Sequence, residues 1–472
     1  MNMYNLREYT GLEEIAGQLF VIRNIHNVGY NEVVEISEEN GNVRIGTTLE
    51  VGEGYAIVQV LGGTSGLSLK NCRVRFKGEP LLFGASQDML GRIFDGLGNP
   101  LDGLPKPVPE EMMNVNGMAM NPAARDYPEN IIETGISTID VMNTLVRGQK
   151  LPFFSGSGLP HDLIAAQIVR QARVEGEGFC IVFAGMGVKY DTARFFIRNF
   201  EESGALDNVV LFLSLADSPS LTRLMTPKFA LTAAEFLAFR KNMQVLVILT
   251  DMSNYCEALR ELSTMRGEIP ARKGYPGYLY SDLAGIYERA GKIKDSKGSI
   301  TQIPMLTMPN DDITHPVPDL TGYITEGQIV VDRELHARGI YPPISVLPSL
   351  SRLMKDNIGK GKTRDDHSEL ASQLFASYAK TRDIRAIASI IGEEELSSLD
   401  LVYLKFGENF ENKFVNQSYN ERRTLQQSLE IGWDVVSELP EEELVRISKD
   451  HIKQRYRKKN GDKNTSDENK SA

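Results

Sequence analysis

Several residue types and patterns are scarce in this 472-residue sequence, and each absence narrows what the protein can be. Its three cysteines, Cys72, Cys180 and Cys256, and its six histidines show no spacing typical of a metal site or a redox pair. No apolar run is long enough to cross a bilayer, and the N-terminus lacks a signal-peptide pattern. We therefore expect buried thiols, a cytoplasmic protein, no metal site, and contact with a membrane only through partners.

The sequence also lacks an excess of basic residues. Its formal net charge is −11 at pH 7, with 63 Asp and Glu against 52 Lys and Arg. This balance argues against a general nucleic-acid-binding protein. The hydrophobic share of 41% is ordinary for a globular protein, and the length predicts two or three domains.

Short, turn-rich segments fill the first part of the chain. Residues 72–77 alternate apolar and basic side chains with a period of two, which is typical of an antiparallel strand with one buried face. The sequence therefore predicts a small antiparallel β-barrel or sandwich over residues 1–77.

From residue 78 onward the pattern becomes that of a parallel sheet. Near-continuous apolar runs at 179–185, 209–213 and 245–249 are typical of strands buried on both faces, and helical patterns such as residues 230–242 lie between them. We predict an α/β domain over residues 78–358, with helices on both faces of its sheet.

Helical periodicity replaces the strands after about residue 360. Leu370, Leu374 and Tyr378 follow one another at a spacing of four. We expect a C-terminal helical domain over residues 359–455 and a disordered polar tail over residues 456–472.

One glycine-rich segment stands where a phosphate-binding loop is expected, between a short apolar run and a helical pattern. It reads Ser155-Gly156-Ser157-Gly158-Leu159-Pro160-His161-Asp162. A working P-loop, GxxxxGK[ST], needs a lysine for the β- and γ-phosphates and a hydroxyl for Mg²⁺. His161 and Asp162 stand in those two places, and Pro160 removes a backbone N–H. The segment predicts a disabled ATPase with weak nucleotide binding at most; the alternative is an ordinary glycine turn before a helix.

The ends of two predicted strands also indicate whether this chain could hydrolyse ATP by itself. Asp251 follows the run at 245–249, where a P-loop enzyme holds its magnesium shell, although such an aspartate is also a common helix N-cap. Beyond a strand that we expect to end at Phe183, Val188 occupies the place of a group that would orient water. Valine cannot accept a proton, so hydrolysis by this chain alone is not expected.

A proline-stiffened segment, residues 341–352, ends in Arg352. A guanidinium held rigidly at the edge of the α/β domain could bind a γ-phosphate in a neighbouring subunit's site. The alternative is a structural salt bridge. A second P-loop-like triplet, Gly361-Lys362-Thr363, lacks the required first glycine and a preceding strand, so we interpret it as a solvated link into the helical domain.

Many segments in the same order resemble those of the B subunits of V-type and archaeal A-type rotary ATPases, over nearly the whole chain. They include residues 88–96, 135–140, 147–150, 155–161, 183–187, 216–219, 267–270, 314–319 and 342–352. The resemblance implies an N-terminal β-barrel, a central RecA-like α/β domain and a C-terminal helical bundle. It also implies a ring of three B subunits alternating with three catalytic A subunits.

In this family the catalytic site, with ATP or ADP and Mg²⁺, lies at the A–B interface, and the B subunit contributes an arginine finger. The matching residue is Arg352; no nucleotide is expected to bind tightly to this chain alone. The resemblance also implies that Glu393, Glu394 and Glu395 face the central shaft, and that peripheral-stalk subunits are partners on the cytoplasmic face of the membrane. Ser345 departs from the family, which usually has Asp, Asn or His there.

The function implied by the resemblance is that of a non-catalytic subunit of a rotary ATPase or ATP synthase that transports protons or sodium ions. One alternative is a self-sufficient RecA-like ring ATPase, such as a helicase, which would need the missing P-loop lysine. The other is a ring scaffold in which Arg352 is only structural.

Overall fold

The computed structural model describes residues 7–117, 119–174 and 178–457. The tail predicted over residues 456–472 lies outside these ranges except for its first two residues. The chain divides into two compact units. The first contains residues 1–129 and 146–331, and the second contains residues 130–145 and 332–472.

The described residues form these strands and helices. The strands are β1 (Arg7–Thr10), β2 (Glu14–Ala16), β3 (Leu19–Arg23), β4 (Glu32–Ser37), β5 (Val43–Gly52), β6 (Tyr55–Val60), β7 (Arg73–Pro80), β8 (Leu82–Ala85), β9 (Ile93–Asp95), β10 (Glu111–Asn114), β11 (Arg125–Asp126), β12 (Ile131–Ile132), β13 (Leu145–Val146), β14 (Phe153–Gly156), β15 (Phe179–Val188), β16 (Val209–Leu215), β17 (Gln244–Thr250), β18 (Gly291–Ile293), β19 (Ser299–Met308), β20 (Gly327–Val331) and β21 (Ile344–Ser351). The helices are α1 (Ser137–Met142), α2 (His161–Gln171), α3 (Tyr190–Glu202), α4 (Ser220–Phe239), α5 (Met252–Met265), α6 (Leu279–Tyr287), α7 (Pro316–Ile324), α8 (Arg333–Ala337), α9 (His367–Ile391), α10 (Ser398–Asn409), α11 (Leu425–Val436) and α12 (Lys449–Arg455).

The first seven strands form one antiparallel sheet in the order β1-β7-β4-β5-β6-β3-β2. The alternation expected at residues 72–77 is present: Val74 and Phe76 of β7 are buried in the core of this sheet, whereas the Arg73 side chain is exposed. The half-barrel that results confirms the predicted N-terminal β-domain.

The sheet of the α/β region is parallel, in the order β20-β14-β19-β17-β15-β16-β9. Its strands are buried on both faces. In β15, Val182 belongs to the apolar cluster that contains α4 and α5, while the ring centroid of Phe183 lies 4.6 Å from that of Phe196 in α3. Because neighbouring residues of a strand point to opposite faces, helices cover both sides. The predicted α/β core is confirmed.

Two boundaries differ from the sequence-based expectation. β15 continues through the glycine-rich stretch to Val188, with an irregular register after Gly185, instead of ending at Phe183. α4 begins at Ser220, ten residues before the helical pattern that we expected to start at Ala230. Pro227 lies inside this helix, and because proline normally ends or kinks a helix, the sequence pattern indicated a helix only beyond it.

The second unit is mostly helical, as predicted. Leu370, Leu374 and Tyr378 of α9 are buried in one apolar cluster with Phe414 and Trp433. Between α10 and α11 the chain makes one π-helical turn, Phe410–Val415.

His367, at the start of α9, is fully buried and hydrogen-bonded through both ring nitrogens. Its Nε2 lies 3.1 Å from the Val141 carbonyl oxygen and its Nδ1 lies 3.0 Å from the Thr363 hydroxyl. The Thr363 hydroxyl also accepts the Gly359 N–H at 2.7 Å. Since a carbonyl can only accept, Nε2 donates, and the neutral ring accepts the Thr363 proton at Nδ1. Burial is the main reason why the pKa of His367 falls to about 4.

This burial predicts a loss of stability in mild acid. Below pH 6.5 the unfolded chain binds a proton at His367 that the folded chain takes up only near pH 4, so the contribution of this histidine to the free energy of unfolding should fall across that window by about 3 kcal/mol. The buried Asp140 of the same unit, whose pKa is raised to about 7, acts in the opposite direction, so the contribution is read from the difference between the wild type and a His367 variant. Hydrogen exchange of α9 amides at pH 4.5 and 7, corrected for intrinsic exchange rates, would measure it.

The variant His367→Gln keeps a donor for Val141 and should lose the His367 contribution to the pH dependence, whereas His26→Gln, in the first unit, should retain it. An equal pH response in the wild type and His367→Gln would contradict the assignment.

Candidate functional site

The glycine loop, residues 155–162, connects β14 to α2 at the carboxyl edge of the parallel sheet. Its backbone is bonded to itself: the N–H groups of Leu159 and His161 donate to the carbonyls of Gly156 and Leu159 at 3.1 and 2.9 Å. The buried Ser155 hydroxyl donates to the Gly156 carbonyl at 3.3 Å. Gly158 has φ +79°, and an added Cβ would meet open space. Two amides that could face a phosphate are therefore already used.

Two charged side chains lie at the start of α2. His161 Nε2 is 3.6 Å from Asp162 Oδ1, and His161 Nδ1 is buried with no hydrogen-bond partner among the described residues. Burial raises the pKa of Asp162; His161 opposes this shift and the Asp251 carboxylate adds to it. An acid at the N-terminus of a helix already neutralises part of the positive dipole end that attracts phosphate.

Asp251 follows β17 and is the N-cap of α5. Its Oδ1 accepts the N–H groups of Ser253 at 2.7 Å and Thr307 at 3.2 Å, and its Oδ2 accepts the Thr307 hydroxyl at 2.5 Å. The capping role that the sequence left open is therefore present. Thr307, at the carboxyl end of the neighbouring strand β19, was not identified from the sequence because it lies 56 residues away along the chain.

The structure brings His161, Asp162 and Asp251 together, and this set does not fit a magnesium triphosphate. Asp162 lies beside the imidazole and interacts electrostatically with the Asp251 carboxylate, and both oxygens of Asp251 are occupied by protein donors. No lysine ammonium stands in the loop, and Pro160 offers no N–H. A nucleotide phosphate would meet repulsion from the carboxylates here, and two of the loop amides are already bonded to carbonyls.

Arg352 lies directly after β21 in the second unit, and its side chain is exposed. The strand before it is held by hydroxyl groups: Ser351 donates to the Thr144 carbonyl at 2.9 Å, and Ser349 donates to the Ser345 carbonyl at 2.5 Å. Ser345, which departs from the resemblance noted above, thus takes part through its backbone carbonyl. The guanidinium sits at the end of a well-supported strand.

The three consecutive glutamates form an exposed 3₁₀ turn, Glu393–Glu395, between α9 and α10. Gly392, with φ +88°, ends α9 just before it. Beside the turn, Ile390 is 83% exposed and Ile391 is 50% exposed. The sequence revealed only the acidic residues, because the burial of an isoleucine near a helix end depends on tertiary packing. The turn therefore combines charge with an apolar patch.

The Gly361-Lys362-Thr363 triplet has a structural use. The Thr363 N–H donates to the Gly359 carbonyl at 2.8 Å, and the Thr363 hydroxyl bonds the Gly359 N–H and His367. This closed turn leads into α9, and its hydroxyl is already occupied.

Comparison with protein-family models finds three matches along the chain. Residues 13–78 match the β-barrel domain of the ATP synthase alpha/beta family, and residues 135–351 match the nucleotide-binding domain of that family. Residues 356–456 match the C-terminal domain of V and A type ATP synthases.

Whole-chain relatives decide the family. The chain is 58% identical over 453 residues to a V-type ATP synthase beta chain of Thermotoga neapolitana, covering 96% of this chain and 98% of the relative. It is also 58% identical over 455 residues to the B subunit of an A-type ATP synthase of Aeropyrum pernix, with the same coverage. The chain belongs to the B-subunit family of V- and A-type ATP synthases.

A solved structure agrees with the B-subunit assignment. The ATP synthase subunit NeqB from Nanoarcheaum equitans is 43% identical and aligns with a TM-score of 0.72, covering 90% of this chain and all of that one. Within the described ranges of this B subunit, no helix combines the length and apolar character needed to span a bilayer.

The glycine loop of this B subunit permits a graded test. We expect the wild-type chain to show no saturable binding of a fluorescent ATP analogue with Mg²⁺. The triple variant Pro160→Gly, His161→Lys, Asp162→Thr should gain measurable binding, because it restores an amide, the cation and the magnesium hydroxyl. His161→Lys alone should gain much less, since Asp162 remains.

Fluorescence titration of the free chain measures the series, and His26→Lys in the N-terminal domain controls for the added charge. Tight, saturable binding by the wild type would show that the loop accepts a triphosphate after all.

Proposed function

We propose that this B subunit is the non-catalytic partner at an A–B interface and donates Arg352 to ATP bound by the catalytic A subunit. The observation that carries the proposal is a contrast between two parts of the chain, the glycine loop and Arg352. Its own loop lacks the lysine, and two of the loop amides are bonded to loop carbonyls, whereas Arg352 presents an exposed guanidinium at the end of a supported strand.

The chemistry of arginine suits this role. A planar guanidinium remains charged throughout the accessible pH range and can bind two phosphate oxygens at once. In phosphoryl transfer, negative charge spreads over the transferred group, so a fixed cation lowers the barrier. The A subunit would supply the P-loop, Mg²⁺ and the group that orients water; the B subunit would supply Arg352.

This arrangement couples nucleotide state to the interface between subunits. ATP on the A subunit attracts Arg352 to its γ-phosphate and closes the interface. Hydrolysis and phosphate release remove that attraction, and the interface reopens. In an alternating ring of three A and three B subunits, successive closures would turn a central shaft, and rotation driven by an ion gradient would synthesise ATP.

The acidic turn is proposed to face that shaft. Glu393–Glu395 and the exposed isoleucines beside it offer charge and apolar surface at the end of a helix pair, which suits a sliding contact with a rotor. Peripheral-stalk subunits would hold the ring still. The complex would lie on the cytoplasmic face of a membrane and move protons or sodium ions through partner subunits.

The deciding variant is Arg352→Ala in the assembled complex. Removal of an arginine finger lowers the rate about 10³- to 10⁵-fold in other phosphoryl-transfer systems, so we expect ATPase activity to collapse while assembly is unchanged. Arg352→Lys keeps the charge but loses bidentate geometry and should retain an intermediate rate.

Lys355→Ala serves as the matched control, since Lys355 is an exposed cation three residues further along. It should leave the rate within a few-fold of wild type. Full activity in Arg352→Ala with an intact complex would make this chain a ring scaffold. ATPase activity by the free chain would instead favour a self-sufficient enzyme.

A further inference from the structure

Glu411 is a fully buried carboxylate in the π-helical turn of the second unit. It receives four hydrogen bonds. Arg338 donates to Oε2 at 2.5 Å, Arg385 donates to Oε1 at 2.5 Å and to Oε2 at 3.1 Å, and the Tyr378 hydroxyl donates to Oε1 at 2.8 Å. Both oxygens are therefore satisfied by charged or aromatic donors.

The carboxylate is ionised in this setting. Burial by itself would raise the pKa of Glu411, but the hydrogen bonds from Arg385, Arg338 and Tyr378 outweigh it and lower the pKa. A buried charge with two arginine partners requires all three groups to stay in place, because loss of one leaves an uncompensated charge in the interior.

One side of this cluster reaches the segment that carries Arg352. Arg338 lies three residues before Tyr341, which begins that segment. The residues that follow the π-helical turn bind Tyr341 directly: the Tyr341 N–H donates to Asn416 Oδ1 at 3.1 Å, and the Gln417 N–H donates to the Tyr341 carbonyl at 2.6 Å. The two residues directly after the π-helical turn thus bind both backbone groups of Tyr341, the first residue of the segment 341–352.

The start of the segment is fixed a second time through α8. The Asp332 N–H donates to the Pro343 carbonyl at 2.7 Å, and the Asp332 side chain caps α8. Arg338, bound to Glu411, closes the other end of that helix. Residues 332–343, which include α8, are therefore held at Asp332, Arg338 and Tyr341, and β21 continues from this segment toward Arg352.

The other side of the cluster reaches α9. Tyr378 and Arg385 both project from this helix, and Arg385 lies eight residues before Glu393 of the acidic turn. Gly407 of α10 permits the close approach: a Cβ at this position would lie 2.3 Å from Thr381 Cγ2 and 3.2 Å from an Arg385 nitrogen. A displacement of the end of α9 would therefore act directly on the groups that hold Glu411.

We infer that Glu411 is a positioning residue for Arg352, joining the helix that ends at the acidic turn to the segment that presents the guanidinium. This inference rests on the proposed function of Arg352. Glu411 touches no substrate; it acts through Arg338, the π-helical turn and Tyr341. A purely structural role would instead make Glu411 a stabiliser of the helical unit with no particular effect on residues 341–352.

The chain contains a matched control. Asp366 is also a buried carboxylate of the second unit, with Arg364 bonds of 2.6 and 2.8 Å and a Trp433 indole bond of 2.5 Å. It has two arginine partners, since Arg455 lies 3.3 Å away. None of its hydrogen-bond partners among the described residues belongs to residues 332–352. Glu411→Gln and Asp366→Asn therefore make the same chemical change at two similar sites.

The first measurement is hydrogen exchange of the full-length free chain. In Glu411→Gln, amides of residues 341–352 should exchange faster by on the order of tenfold or more, because a neutral amide leaves an arginine unpaired and loosens the Tyr341 bonds. Asp366→Asn should leave this segment unchanged while exposing amides around α9 and α11. Equal effects of the two variants on residues 341–352 would overturn the positioning role, whatever Arg352 does.

The second measurement is the ATPase rate of the assembled complex. Misplacement of a catalytic group by about 1 Å can cost up to about a hundredfold, so Glu411→Gln should lower kcat about ten- to a hundredfold with little change in KM. Arg338→Gln leaves Glu411 bound to Arg385 and Tyr378 and should give a smaller fall, which guards against misfolding of Glu411→Gln. Asp366→Asn should stay near the wild-type rate.

The outcomes separate the two proposals. If Arg352→Ala abolishes the rate but Glu411→Gln and Arg338→Gln do not lower it, the positioning role is wrong and the arginine finger stands. If Arg352→Ala leaves the rate intact, the proposed function itself fails, and the exchange data alone then report how the segment is held.

Discussion

The parallel sheet of the first unit, buried on both faces, is the constraint on which the chemistry of this chain depends. The strands are mostly apolar along their length, and the glycine loop, Asp251 and Thr307 follow or end neighbouring strands, so they meet at one carboxyl edge. That edge binds phosphates in related folds. In this chain the same architecture is retained, but several of its polar groups bind one another: two loop amides bind loop carbonyls, and Asp251 caps a helix and binds Thr307.

The second unit contains buried carboxylates that are paired with arginines. Glu411 and Asp366 each gather two arginines and an aromatic donor, so that ionised groups rather than apolar contacts alone define how its helices meet. A buried ion cluster of this kind requires a defined geometry, because loss of any partner leaves an uncompensated charge in the protein interior. An exposed arginine at the end of a strand gains a defined position from such surroundings.

The architecture was accessible from sequence because its signals are local. Continuous apolar runs revealed the parallel strands, and the missing lysine revealed the altered loop. The start of α4 was not accessible, since Pro227 lies inside the helix and a proline normally marks the end of a helical pattern. Thr307 and Glu411 were missed for a related reason: their partners lie 56 and 26 to 73 residues away, and only the folded chain brings them together. The roles of Arg352 and Glu393–Glu395 stay predictions; that of Arg352 came from its proline-stiffened segment and the family resemblance, and that of Glu393–Glu395 from the resemblance alone.

The buried cysteines have a practical consequence for this molecule. Cys72, Cys180 and Cys256 are all buried free thiols, and burial raises the pKa of Cys180 to about 12 and that of Cys256 well above its usual range. Thiolate, the form that reacts with alkylating probes, is scarce at each of these sites at neutral pH. A single cysteine introduced on the surface of residues 341–352 would therefore be the main reactive thiol of the chain. Site-specific labelling at that position would not require removal of the three natural cysteines.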